Sequence, residues 1–290
     1  AHPWPGPRAG LRAGPSARPW PRVGSWMLVA THNVMQGLFL RHLLPAYSRL
    51  HRRRRLGLLC LQECSPSSAA LILRALGARF RVLSHPAAQD LAIVYDSKRL
   101  LARSARPLAL PRLARVPLWQ HVYTSATPQQ CWALLANFKL RRKYGRRRQL
   151  IVANFHLDAA GDISHRERQA RALSCAVPVR PSNNLLACGD TNAFTWRASE
   201  AEPALSQVLR PILTRHLAHD SKAGRCAVTH FMSRAREPKL GHQIAVLAGR
   251  FGIDFPRRYD VICASPAVAE SGVIDTPASD HNLVWGDLRL

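Results

Sequence analysis

Short apolar runs, separated by turns and amphipathic stretches, organise the chain from residue 25 onward and limit its fold more than any other feature. Such runs favour buried strands, whereas apolar residues at helical spacing favour helices. The predicted strands are Trp26–Ala30, Leu56–Leu61, Leu91–Tyr95, Cys131–Leu140, Leu150–Phe155, Asn184–Cys188, Tyr259–Ala264 and Leu283–Leu288. The predicted helices are Leu38–His51, Ser67–Leu76, Ile163–Ala176 and His242–Phe251. Because strands and helices are interleaved without a regular strand–helix–strand alternation, we expect an α+β or layered α/β/α fold and not a doubly wound sheet.

The chain is strongly basic. It has 290 residues, with 42 Lys and Arg against 17 Asp and Glu, so its formal net charge is +25 at pH 7. A surface of this charge attracts polyanions such as nucleic acid, anionic lipid or an acidic protein. Codon bias is an alternative cause of the preference for Arg over Lys, but it does not account for the scarcity of acids. The hydrophobic fraction of 47% excludes a wholly disordered chain. No run of about 18 apolar residues occurs, so no membrane-spanning helix is predicted.

The first 25 residues differ in composition from the rest. Residues 1–22 contain six prolines and four arginines, and no Asp or Glu precedes Glu63. The prolines exclude a helix. An acid-free segment rich in Arg resembles the remains of an organellar targeting region, or an extended arm that lies on a polyanion. We therefore expect a basic extension at 1–25, one domain at 26–290 and a mitochondrial location.

Two further basic clusters lie within the predicted domain. They comprise Arg52, Arg53, Arg54 and Arg55, and Arg141, Arg142, Lys143, Arg146, Arg147 and Arg148. The second lies between two strand-like runs, which indicates a hairpin with a basic tip. A solvated surface is the alternative for both, but neither cluster has acids nearby, and Tyr144 offers a ring on which a base can stack. We expect the clusters to bind the backbone of a nucleic acid, with RNA favoured, or another polyanion, without reading sequence.

The seven cysteines include no CxxC pair, and several lie within apolar runs. Free cysteine in such runs behaves as a small hydrophobic residue. The cysteines therefore suggest neither a disulfide framework nor a zinc site, and we expect a reducing compartment.

In a chain with so few acids, the positions of the carboxylates are informative. Four of them lie at an edge of a strand-like run, namely Glu63, Asp190, Asp260 and Asp280. Carboxylates at strand ends can face a common cleft, and their oxygens are the ligands that Mg²⁺ prefers. Asp190 and Asn192 would point the same way if the chain stays extended between them. His156 follows an apolar run in the same manner, and His281 lies beside an acid.

Each position also has a plainer interpretation. Glu63 can be an acid near a helix start, since three nearby serines offer caps. Asp190 with Asn192 can form an Asx-turn. Asp280 can belong to a turn, and His156 can be an interior histidine with satisfied hydrogen bonds. The positions are informative because they occur together and in one order.

Six motifs follow one another along the chain: THN at 31–33, LQE at 61–63, NFHLD at 154–158, GDTNA at 189–193, RYDVI at 258–262 and SDHNLV at 279–284. In this order they resemble the endonuclease/exonuclease/phosphatase superfamily, with the deoxyribonuclease I-like fold, over nearly all of residues 26–290. The pairing of GDxN with a later SDH is specific. The resemblance implies a four-layer α/β sandwich, in which two mostly antiparallel sheets pack face to face with helices outside. His32 and Asp90 depart from the pattern, since the superfamily often has an aromatic residue and a Gly at these positions.

The resemblance also implies a metal site. Glu63 would be the principal Mg²⁺ ligand, and Asn33 and Asp280 would complete or orient the metal shell. Mn²⁺ is the alternative ion. A bound metal offsets the charge that develops when a phosphate ester is cleaved.

Catalytic roles are implied for five further residues. Asp190 and Asn192 would position and activate the attacking water. His281 would be the acid/base histidine, with a hydrogen bond to Asp260 that fixes its tautomer. His156 would donate to a non-bridging oxygen of the phosphorus centre.

Two functions follow from these expectations. The first is a Mg²⁺-dependent phosphoesterase of the phosphodiesterase or nuclease type in an organelle. The alternative is a structural, RNA- or protein-binding subunit of a large mitochondrial assembly such as the mitochondrial ribosome, with little or no activity. A lipid phosphatase is a weaker interpretation, since no amphipathic membrane helix is predicted.

Overall fold

The computed structural model describes residues 26–122, 124, 127–141, 149–178, 183–195, 197–221, 228–230, 243, 244, 247, 257–265, 267–276 and 279–290. Twelve strands and four α-helices lie within these residues. The strands are β1 Trp26–Asn33, β2 Leu56–Gln62, β3 Phe80–His85, β4 Ala88–Asp96, β5 Leu100–Ala109, β6 Trp132–Leu140, β7 Gln149–His156, β8 Asn183–Asp190, β9 His219–Asp220, β10 Asp260–Ser265, β11 Val268–Ile274 and β12 Leu283–Arg289. The helices are α1 Leu40–Arg54, α2 Pro66–Leu76, α3 Ile163–Ala176 and α4 Ala198–His216.

The strands form two six-stranded sheets. The first has the order β11-β12-β1-β2-β4-β3, and the second has the order β5-β6-β7-β8-β10-β9. All neighbouring strands are antiparallel except the pairs β1–β2 and β7–β8, which are parallel. The prediction of two mostly antiparallel sheets is therefore confirmed.

Three apolar clusters separate four layers. The first lies between the sheets and joins Val29 and Leu58 of the first sheet to Phe138 and Val152 of the second. The second cluster joins the outer face of the first sheet to α1 and α2, and the third joins the outer face of the second sheet to α3 and α4. Each sheet is thus buried on both faces, because apolar side chains point to both sides of its central strands. The predicted four-layer sandwich is confirmed.

Local sequence signals explain where two helices begin. Ser65 caps α2 by accepting a hydrogen bond from the Ser68 amide, and Pro66 occupies the first helical position. Asp162 caps α3 by accepting a hydrogen bond from the His165 amide. Glu63 lies two residues before the cap of α2, so the serines and not Glu63 start this helix.

The predicted helices Leu38–His51, Ser67–Leu76 and Ile163–Ala176 correspond to α1, α2 and α3. The fourth, His242–Phe251, lies largely outside the described residues, as do the basic extension at 1–25 and Arg142, Lys143, Arg146, Arg147 and Arg148 of the hairpin tip. The strands that flank this tip pair as the predicted hairpin. None of the described helices is long and apolar enough to span a membrane.

One buried amide joins the two sheets near the ends of their central strands. Asn154 of β7 donates to the carbonyl oxygens of Leu61 and Ala92, at 2.9 and 3.0 Å, and accepts from Gln62 Nε2 at 2.6 Å. A buried amide costs free energy unless it is hydrogen-bonded, and this one is. The three bonds hold β7 against β2 and β4 close to the site described below.

Glu167 of α3 fastens the outer helices together, and its loss should destabilise the fold. Its carboxylate accepts hydrogen bonds from Arg210 at 2.8 Å and Gln207 at 2.9 Å, both on α4, and from Arg171 at 3.1 Å. Gln207 and Arg210 lower the pKa of Glu167 to about 2. We expect Glu167→Gln to lower the free energy of unfolding by about 1 to 2 kcal/mol at pH 7.

The pH dependence follows from the direction of this shift. A carboxylate whose pKa is lowered by folding contributes stability above its unfolded pKa of about 4.5, and this contribution is lost as the pH falls towards 2. Urea unfolding should show a constant difference between wild type and variant from pH 7 to about 5, and a smaller one below. The control is Glu200→Gln, because Glu200 is 52% exposed and lies 3.7 Å from an exposed Arg197. Equal losses in both variants would contradict the assignment.

Candidate active site

The direction of the strands brings the predicted site residues to one end of the sandwich. Asn33, Glu63, His156 and Asp190 lie at or directly after the ends of β1, β2, β7 and β8. Asp260 begins β10, and Asp280 and His281 precede β12, because these strands run antiparallel to their neighbours. Residues from opposite ends of the sequence therefore meet at one edge.

A cleft of about 830 Å³ opens at this edge. Seven of the eight predicted site residues line it, namely Asn33, Glu63, His156, Asp190, Asn192, Asp280 and His281. The eighth, Asp260, is fully buried behind His281. Polar side chains from both sheets thus surround one space large enough for a small substrate or part of a larger one.

His281 and Asp260 form a tight pair. His281 Nδ1 lies 2.8 Å from Asp260 Oδ2, and the other ring nitrogen, Nε2, lies 3.6 Å from Asp190 Oδ2. Burial lowers the pKa of His281, but the charges of Asp260 and Asp190 outweigh this effect and raise it well above its usual value. The ring is therefore a charged imidazolium, and its Nε2 points towards Asp190 in the cleft.

Asp190 Oδ2 lies at the centre of the site. It accepts a hydrogen bond from Asn33 Nδ2 at 3.2 Å, and the Nε2 atoms of His156 and His281 are each 3.6 Å away. Burial raises the pKa of Asp190, but the two histidines and these hydrogen bonds lower it below its usual value. Asp190 is thus an ionised carboxylate held among donors.

Asn192 does not continue the extended chain. Its φ angle is 47°, and its backbone amide donates to Asp190 Oδ1 at 2.8 Å. This is the Asx-turn that the sequence left as an alternative. The turn occupies Oδ1 and so leaves Oδ2 for the cleft, while the Asn192 side chain donates to the Leu157 carbonyl at 2.9 Å.

Asn33 connects two carboxylates. Its Nδ2 donates to Glu63 Oε1 at 2.9 Å as well as to Asp190, and its Oδ1 accepts from the Met35 amide at 3.0 Å. Since ionised carboxylates only accept hydrogen bonds, the amide nitrogen must face them. Burial raises the pKa of Glu63, and the nearby charge of Asp280 raises it further, against His156 and Asn33.

His156 lies between two acids. Its Nε2 is 3.6 Å from Asp190 Oδ2, and its Nδ1 is 3.7 Å from Asp90 Oδ2. Burial lowers the pKa of His156, but Asp90, Asp190 and Glu63 together raise it to about 9. Asp90 was noted in the sequence only as a departure from the superfamily pattern, and it is a member of the site.

His230 is a second residue that the sequence analysis did not identify. Its ring stacks on Tyr259, with centroids 4.7 Å apart, and meets the His281 ring edge-on at 4.6 Å. Its Nε2 lies 3.7 Å from Asp280 Oδ2. Its backbone pairs with Arg257 and His281, so the position is fixed on both sides. A histidine that follows Thr229 in a loop has no local signal that would reveal this.

His32 is a buried residue that holds the backbone of the site in place. Its ring is fully buried, with Nδ1 2.6 Å from the Tyr47 hydroxyl and Nε2 3.1 Å from the carbonyl oxygen of His281. Burial lowers its pKa to about 3, so the ring is neutral. The ring accepts from Tyr47 and donates to the carbonyl, which fixes the backbone that carries His281.

The first basic cluster lies at the opposite end of the sandwich. Arg55 directly precedes β2 and Glu63 directly follows it, and the seven residues of this strand span about 23 Å. Arg52, Arg53 and Arg55 are exposed. Arg54 instead packs over the Trp285 ring at 3.8 Å and lies 3.4 Å from Glu270. Arg141, the described member of the second cluster, follows β6 at this same far end.

No protein-family model matches this sequence, and no curated protein sequence is significantly similar to it. Solved structures do share its fold. An endonuclease/exonuclease/phosphatase from Bacteroides vulgatus has a TM-score of 0.63 at 16% identity, over 92% of this chain and 99% of that chain. TDP2 from D. rerio, complexed with a single-strand DNA product, has a TM-score of 0.59 at 15% identity, over 91% and 98%. A mannosyl-6-phosphatase from Bacteroides thetaiotaomicron has a TM-score of 0.57 at 16% identity, over 90% and 99%.

These likenesses confirm the resemblance inferred from the six motifs. The chain has the fold of the endonuclease/exonuclease/phosphatase superfamily. Because the identities of these three structures are only 15 to 16%, this agreement concerns the fold. The chemistry must be argued from the cleft itself.

Proposed function

We propose that this protein is a divalent-metal-dependent phosphoesterase, with the phosphodiester backbone of nucleic acid as its substrate. The observation that carries the proposal is the surrounding of Asp190 Oδ2. An ionised carboxylate, two imidazolium donors and a pair of further carboxylates face one cleft. Hydrolysis of a phosphate ester needs an acceptor for the proton of water, donors for the phosphate oxygens and a cation, and this set supplies groups for each task.

The residues divide these tasks by their charge. Asp190 is ionised, so it can accept a proton from the attacking water, and Asn192 and Asn33 hold it in place. His281 and His156 are protonated, so they can donate to oxygens of an anionic phosphate. Asp260 orients His281 and balances its charge. This assignment agrees with the roles that the resemblance implies.

Glu63 and Asp280 fit a divalent cation. Burial raises the pKa of Glu63, and the negative charge of Asp280 is among the further causes that raise it. A cation relieves such repulsion between carboxylates, and oxygen ligands suit Mg²⁺ or Mn²⁺. Asn33 would orient Glu63, since its amide nitrogen faces the carboxylate. A bound cation would supply Lewis-acid stabilisation of the phosphate.

Nucleic acid is the favoured substrate class for two reasons. The net charge of +25 attracts polyanions over a long range. TDP2, which shares the fold, was solved with a single-strand DNA product. The exposed arginines at 52, 53 and 55 lie too far from Glu63 to touch the scissile phosphate, so they would hold a more distant part of a long substrate.

The test is hydrolysis by the full chain of a panel of single- and double-stranded DNA and RNA, nucleotides, sugar phosphates and phosphoinositides. We expect activity with Mg²⁺ or Mn²⁺ that a chelator abolishes. Glu63→Gln keeps the acceptor for Asn33 but removes a charge, and it should weaken Mg²⁺ binding by at least about 10-fold in calorimetry and lower the rate accordingly. Glu270→Gln, far from the cleft on β11, is the control. Mg²⁺ affinity that is equal in wild type and Glu63→Gln would contradict the metal assignment.

A second function is favoured by the distance between the basic cluster and the cleft. A basic surface at the far end of the sandwich is suited to hold RNA or an acidic protein independently of catalysis. As a subunit of a mitochondrial assembly, the protein would bind its neighbours through this surface, and its cleft would be vestigial. If the full chain hydrolyses no member of the panel with either metal, this second function replaces the first.

A further inference from the structure

Three potential zinc ligands meet on one wall of the cleft. His230, Asp280 and His281 each offer one donor atom, and these atoms all lie within 4.8 Å of one another. The ligands of a tetrahedral zinc ion at about 2.0 to 2.1 Å from the metal are about 3.4 Å apart. The separation of 3.7 Å between His230 Nε2 and Asp280 Oδ2 is close to this value. The other separations among the three donor atoms are at most 4.8 Å.

Both imidazoles are held in positions suited to a metal. The His230 ring is stacked on Tyr259 and lies against His281. His281 Nδ1 is hydrogen-bonded to Asp260 at 2.8 Å, which directs its Nε2 to the cleft. A metal-binding histidine commonly donates its second N–H to a carboxylate, and this bond raises the affinity of the imidazole for the metal.

The donor set distinguishes this position from the magnesium site. Two imidazole nitrogens and one carboxylate oxygen suit zinc, whereas magnesium prefers oxygen ligands alone. Glu63 and Asn33 lie on β2 and β1 and offer oxygen or amide groups. Of the two positions, only the one with His230 is suited to a softer cation.

We propose that Zn²⁺ binds between His230, Asp280 and His281 and inhibits the enzyme. The zinc ion displaces the proton from Nε2 of His281 to solvent and binds the lone pair that this nitrogen then presents. It also takes Asp280 from the magnesium site. The zinc site itself does not depend on the proposed function, but its inhibitory effect does.

Calorimetric titration of the full, chelator-treated chain with Zn²⁺ alone tests the site. His230→Gln removes the imidazole, and His230→Phe removes it while keeping a ring to stack on Tyr259. We expect the dissociation constant for Zn²⁺ to rise at least about 10- to 100-fold in both variants, because loss of a ligand should cost no less than loss of a residue that orients one. His42→Gln, an exposed position on α1, is the matched control and should bind as wild type does. Thermal unfolding checks that each variant is folded.

The outcomes separate the two proposals. Equal zinc affinity in wild type and the folded His230 variants would overturn the zinc site. Because the titration contains no substrate, it can succeed even if the chain hydrolyses nothing, which would overturn the proposed function instead. Where Mg²⁺-dependent hydrolysis is found, the Zn²⁺ concentration that halves the rate should rise in His230→Phe by about the same factor as the dissociation constant.

Discussion

His281→Ala is expected to lower the rate of metal-dependent phosphate ester hydrolysis by a factor on the order of 10² to 10⁴. Asp260 holds the imidazole on one side, and Nε2 lies 3.6 Å from Asp190 on the other, so the substitution removes the donor that Asp260 orients towards the cleft. Its charge is maintained by these two acids in a buried setting, where a donor to an anionic transition state has a large effect. The loss should appear mainly in kcat, measured with saturating Mg²⁺.

Asp260→Asn should reduce the rate nearly as much. Asp260 does not line the cleft, so it acts through His281 by orienting the ring and balancing its positive charge. An Asn side chain at this position carries no negative charge to balance the imidazolium, so it would hold the His281 ring less firmly. The control is His42→Ala, the same substitution at an exposed histidine, for which the rate should stay within about twofold of wild type, as is usual for surface positions. Wild-type kcat in folded His281→Ala would exclude His281 from catalysis.

The strands that the sequence predicts are the central ones. The eight apolar runs became β1, β2, β4, β6, β7, β8, β10 and β12. The four strands that the sequence did not predict, β3, β5, β9 and β11, are the edges of the two sheets. Edge strands are partly exposed and tolerate charged residues and proline, such as Arg106 and Pro107 of β5. Their position is set by the pairing of the sheet, which no local window contains.

The helix α4 shows a conflict between two sequence signals. Pro203 and Pro211 argue against a helix through this segment. Leu205, Val208, Leu209 and Ile212 have the spacing of one apolar face and are buried against the second sheet. The tertiary burial of this face outweighs the hydrogen bonds that the prolines remove.

The site residues also divide into those that the sequence reveals and those that only the fold brings together. Asn33, Glu63, His156, Asp190, Asp260 and His281 were found because each belongs to a short motif at a strand end. Asp90 and His230 have no such motif, and their place depends on pairing between β2 and β4 and between His230 and His281. Only the folded structure therefore assigns Asp90 and His230 to the site.

Gly189 of the GDTNA motif shows a physical requirement that the motif alone does not explain. A Cβ at this position would lie 2.0 Å from the carbonyl oxygen of Phe155, which faces Gly189 across the parallel pair β7–β8. Backbone on a central strand cannot move aside without breaking the ladder. The residues that follow these two are His156 and Asp190, so any separation of the strands would be transmitted directly to the cleft.

Gly189→Ala is therefore expected to lower the free energy of unfolding by about 3 kcal/mol, at the upper end for an overpacked core, and to reduce hydrolysis in the fraction that folds. Gly57→Ala on β2 is the matched control, because its Cβ would meet the Met27 side chain at 2.4 Å. The atoms met there belong to a flexible side chain and not to backbone, so the cost should be smaller, about 1 kcal/mol. Urea unfolding of both variants and the wild type measures the two losses in free energy of unfolding. A Gly189→Ala protein as stable as Gly57→Ala would mean that β7 and β8 can separate without loss, and the close approach of their backbones would then not be what requires glycine in this motif.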